Sequence, residues 1–187
     1  MALWEDPMAK TAYKTEYLLR DVERALNAQL EAMLATVEAR WADTDPIALP
    51  MPTEISVGGF DADVLNYRVE DFPKIALLGA PRTPDPMNAG QGKFALATHA
   101  IVLEWIFIAP TRKAATLGNM RYAEAILAIV HKIHSPEFHG FSPETPASTV
   151  EEQPGMPFYG PDPNQETPLA YMAGCTATVP VRGSISF

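Results

Sequence analysis

His131 and His134, followed by Glu137 and His139 in the run HKIHSPEFH, are the residues of this chain whose types and spacing come nearest to a metal site. Two imidazoles three apart on a helix can face one ion. A zinc centre also needs fixed geometry and partners that orient each ligand, yet His139 lies beyond the helix-stopping Pro136 and no Cys is near in sequence. Histidines that simply favour the negative end of a helix account for the same residues, so no metal is expected.

Nucleophilic chemistry finds even less support. Cys175 is the one thiol, and no GxSxG elbow surrounds any serine, so Cys175 reads as a small packed hydrophobe. The run Gly90 to Lys93, GQGK, lacks the spacing and the Ser or Thr of a phosphate-binding loop and leads into a strand. Asp61 with Asp63, and Glu70 with Asp71, read as solvated turn residues, and His99 as a half-buried sheet residue. Trp105 and Phe107 lie on an apolar strand without a basic groove, which makes them core or interface residues and not a base-stacking platform. No catalytic residue and no cofactor are expected.

Charge and composition narrow the classes further. A formal net charge of −9 over 187 residues argues against gripping nucleic acid by neutralising phosphates. A single cysteine excludes a disulfide scaffold and makes a reducing cytoplasm the expected place of synthesis. Residues 1–20 are studded with charges and have no apolar core of a signal peptide. The apolar run Ala100 to Pro110 is interrupted by Glu104 and falls short of the roughly 20 residues that span a bilayer. A soluble protein is expected.

The elements that would position any site follow from periodicity. Leu18, Val22, Leu26, Leu30, Met33 or Leu34, Val37 and Trp41 recur at steps of three and four, predicting a helix of roughly seven turns that starts near Thr11 or Thr15 and ends at Asp43 to Pro46. A short strand is predicted at Glu54 to Val57, followed by a turn at Gly58-Gly59, then strands at Val64 to Val69 and Lys74 to Leu78. Gly79 to Lys93 holds three prolines and three glycines and reads as a loop, a candidate for a protruding hairpin tip.

FALATHAIVLEWIFIA, Phe94 to Ala109, reads as one long strand whose C-terminal half is apolar on both faces. One face packs on helices, and the other must be covered by the chain's own tail or by a neighbouring subunit; the subunit is the favoured reading, with Ile101, Leu103, Trp105 and Phe107 as interface residues. A second helix carries Leu117, Tyr122, Ile126, Ile129, Val130 and Ile133 on its stripe, leaves Arg121, Glu124 and Lys132 outside it, and stops by Pro136. Residues 135–170 contain eight prolines and six acidic residues with no Lys or Arg, and read as an arm lying on the surface or against a neighbour. The ending alternates Ala173, Cys175, Ala177, Val179 and Val181 as a last strand, which Pro180 places at an edge.

The fold class expected is therefore α+β: a small, mainly antiparallel sheet packed against two long helices, with a Pro-rich irregular arm and a C-terminal strand. The core covers residues 1–134, the arm 135–170, and the returning strand 171–187.

This order, carried by YLLRDVERALNAQL, VLNYRVEDFPKIALLG, HAIVLEWIFIA and RYAEAILAIV, resembles the tail-terminator or tail-completion proteins of long-tailed bacteriophages. The resemblance covers Tyr13 to Ile133 in outline, and the arm departs from a compact version of the pattern. It implies a structural virion protein forming a hexameric ring at the head-proximal end of the tail tube. Such a ring docks on the tube protein, stops polymerisation, and meets the neck or head-closure proteins. DNA passes its channel without sequence-specific binding, a role that negative charge suits. Ring subunits meet through heterologous faces, for which the long strand and the arm with Glu151 and Glu152 are candidates. The tip, with Arg82, Asp85, Asn88 and Lys93, would reach the lumen or the tube. Another neck component is the alternative reading, followed by a small metal-binding protein or enzyme built on His131 and His134.

Overall fold

The structure, a computed structural model, describes residues 7–60, 67–89, 94–133, 142–143, 149–159 and 166–186. Helix α1 runs Pro7–Trp41, strand β1 Glu54–Val57, β2 Lys74–Ala89 and β3 Phe94–Ala109. Helix α2 follows at Arg112–Val130, then β4 Ser142–Pro143, β5 Thr149–Phe158 and β6 Ala170–Ser186. The described strands form one mixed sheet in the order β1-β2-β3-β6-β4, with β5 also on β6. The β1–β2 pair is parallel, and the other pairs are antiparallel. The chain is α+β, as its periodicities predict.

Helix α1 spans 35 residues, about ten turns at 3.6 residues each, and so exceeds the predicted seven. It begins at Pro7 in place of Thr11 or Thr15; proline suits a first helical position, where its missing N–H costs no intrahelical bond. Leu18, Val22, Leu26, Leu30, Leu34 and Val37 are buried as one stripe, while Trp41 at its end is 38% exposed. Helix α2 starts where Thr111 Oγ1 accepts a hydrogen bond from the Ala114 N–H at 3.2 Å, an N-cap that satisfies one free helical donor. Tyr122, Ile126, Ile129 and Val130 are buried as the stripe requires, whereas Leu117 and Ile133 are half-buried.

Both helices contribute to one core with a single face of the sheet. Direct cross-strand partners share a face, so Ile75 and Leu77 of β2, Ile101, Leu103, Trp105 and Phe107 of β3, and Ala173, Cys175, Ala177 and Val179 of β6 form the helix-covered surface.

Strand β1 has the predicted bounds. Gly58 and Gly59, at φ +116° and +103°, make the turn after it, a conformation that Cβ-bearing residues rarely adopt. The predicted strand at Val64 to Val69 is corrected at its end: Val69–Asp71 is a 3-10 turn, and residues 64–66 lie outside the described residues. Asp71 reaches back to accept the Arg68 N–H at 2.7 Å, which favours the turn over an extended chain.

Three further expectations are overturned, each through a proline. The segment 79–89 is not a loop but the outer half of β2, so β2 and β3 form a hairpin of two 16-residue strands. Strand β1 flanks only Lys74 to Leu77, which leaves the rest of β2 as a described edge, where Pro81, Pro84 and Pro86 cost no ladder hydrogen bond on the free side. The arm is not irregular throughout, since Thr149–Phe158 pairs with β6. A bulge between Gln153 and Met156 takes up Pro154 at that edge. Finally, β6 is not an edge but lies between β3 and the β4/β5 side. Pro180 is tolerated there because the described pairing on that side ends at Thr178 and resumes at Val181.

Candidate assembly surfaces

Ile101, Leu103, Trp105 and Phe107 belong to the core of the chain. They are 0–2% exposed in the chain by itself, covered by α1 and α2, and the interface assignment made for them from the sequence is corrected. Alternation in β3 sends the other row outward: Ala100, Val102, Glu104, Ile106 and Ile108 are all half-exposed. The apolar residues on both faces of this strand therefore belong to two different surfaces, and only the outward row is available to a partner.

The register builds that outward face row by row. Val102 lies between Leu78 and Thr178, Glu104 between Ala76 and Thr176, and Ile106 between Lys74 and Gly174. Strand β5 extends the rows with Glu151 beside Thr176 and Met156 beside Met172. Part of the face is closed: Ala76 is buried, and Phe72, just before β2, is buried with its ring edge-on to Phe158 at 5.9 Å between centroids. Lys74, the one basic residue in these rows, is held by Glu54 at 2.8 Å, and that hydrogen bond raises its pKa.

Glu151 and Glu152 are exposed, and alternation directs them to opposite faces of β5, opposite Thr176 and Cys175 respectively. Exposed Met156, Tyr159 and Leu169 gather where β5 meets β6, joined by the Leu169 N–H donating to Phe158 O at 2.8 Å. This apolar end is supplied by the proline-rich stretch and has no periodic signal in the sequence. Edge strand β5 itself carries Glu151, Glu152, Pro154, Pro157 and a bulge, features that discourage continuation of the sheet into another chain.

On the helix side, Ala35, Ala39, Ala42, Pro46, Ile47 and Ala48 line a shallow groove of about 490 Å³ with Glu38. The segment that walls it is fastened to both helices. Glu38 accepts the Leu49 N–H, the Tyr122 hydroxyl donates to Pro50 O, and Lys113 pairs with Asp45 at 2.8 Å. Arg121, expected outside the helix stripe, is buried; it donates to Asp45 O at 2.7 Å and lies 5.1 Å from the Trp41 ring centroid. Periodicity misses this role because Arg121 caps the carbonyl of a distant loop. Burial pushes the Tyr122 hydroxyl above the usual phenol range, with Glu38 adding to the effect.

The hairpin residues Arg82, Asp85 and Asn88 lie in β2, and Lys93 lies outside the described residues. His131 caps the C-terminus of α2, its N–H donating to Leu127 O at 3.0 Å, in keeping with a helix-end role. His134, Glu137, His139, Asp61 and Asp63 lie outside the described residues. Among the described residues, no group of three His, Cys, Asp or Glu converges as a metal site. Glu70 is exposed, 3.7 Å from Arg68, beside the half-buried Asp71 in the 3-10 turn. Cys175 is buried opposite Trp105, and burial, with Glu152 nearby, pushes its thiol up to about 12, so the reactive thiolate is suppressed at neutral pH.

No helix among the described residues is long and apolar enough to cross a membrane. No family model matches the chain, and no curated protein matches it.

Proposed function

We propose that this chain is a structural subunit of a phage tail-terminator ring, seated at the head-proximal end of the tail tube and joining it to the neck. The observation that carries the reading is the two-sided sheet. Both helices cover one face, while the opposite face leaves Val102, Ile106 and Ile108 half-exposed around Glu104, a surface suited to contact with a neighbouring subunit. The β2–β3 hairpin supports the same reading, since its two 16-residue strands, about 50 Å long at 3.3 Å per residue, extend beyond the part of the sheet that β1 flanks. A formal charge of −9 suits a channel that DNA traverses without sticking. In this reading the ring, expected to be hexameric, ends tube polymerisation and offers its other side to the head-closure proteins.

Electron microscopy of lysates from the source phage, with this gene deleted and then complemented, tests the proposal. Over-long or unattached tubes establish tail termination. Filled heads leaking DNA beside tails of normal length move the assignment to head closure. Intact infectious particles overturn the structural role.

A further inference from the structure

We draw no further inference here: the strongest candidate, the half-exposed outer face of the sheet around Val102, Glu104, Ile106 and Ile108, already enters the proposed function, and nothing in the structure shows what else covers it.

Discussion

Gly118 of α2 lies directly over the ring of Phe107 on β3, so closely that a Cβ at position 118 would stand 2.6 Å from Phe107 Cζ and 2.9 Å from Cδ1. Helix and sheet interlock at this point, with Tyr122 one turn further along α2 holding the same ring at 5.3 Å between centroids. Gly118→Ala is expected to destabilise the fold by about 1–3 kcal/mol, the range for overpacking a close-packed core. Urea denaturation measures the effect, and adding Phe107→Leu to the same chain should restore part of it. Unchanged stability of Gly118→Ala would disprove the interlock.

Neighbouring residues of β3 should behave in opposite ways. Leu103 is fully buried under the helices, so Leu103→Ala should cost about 2–5 kcal/mol. Val102→Ser and Ile106→Ser, on the half-exposed face, should cost clearly less in denaturation while reducing incorporation into tails in a complementation assay. Wild-type incorporation of both serine variants would remove the outer face from the proposed assembly.

Arg121 couples α2 to the segment after α1. Arg121→Ala removes a charged donor from Asp45 O and is expected to cost about 1.5–3 kcal/mol. Arg121→Lys should recover only part of that loss, because a compact ammonium on a different stem does not reproduce the rigid donor fork that holds Asp45 O beside the Trp41 ring. Thermal melts of both variants check the order; equal stability of the lysine variant and wild type would show that charge alone suffices.

Cys175 and Tyr122 predict how stability varies in base. Both acids have folded pKa values above their unfolded ones, so above the unfolded values the unfolded chain binds fewer protons than the folded one and stability falls as pH rises. For Cys175 the loss runs from its ordinary value of 9.0 towards about 12, and Tyr122 adds to it from 10.0 upward. Denaturant midpoints for Cys175→Ala and Tyr122→Phe should decline less over pH 9 to 11 than wild type, after allowing for their different starting stabilities. A thiol reagent at pH 8 should label Cys175 only in denaturant; rapid labelling of the native protein would contradict its burial.

The sequence by itself determined the elements whose signal is local. The α1 stripe from Leu18 to Val37, the long strand and the stripe of α2 follow from periods of 3.6 and 2 residues, and the end of β1 from the Gly58-Gly59 turn signal. Period alone could not say which face of β3 meets the helices. Leu103 and Ile106 are both apolar, and only the helix layer buries one and leaves the other half-exposed. The proline rule likewise depends on a neighbour: Pro81, Pro84 and Pro154 fit strands because the adjoining edge is free or bulged, and Pro180 fits an interior strand because two partners leave a gap beside it. The contacts of Arg121, Asn119 and Tyr122 were equally invisible, since each side chain satisfies a carbonyl far away in the chain, at Asp45, Gly174 and Pro50. Hydrophobic period is a property of one segment, whereas pairing, facing and capping are relations between segments, and only the tertiary structure decides them.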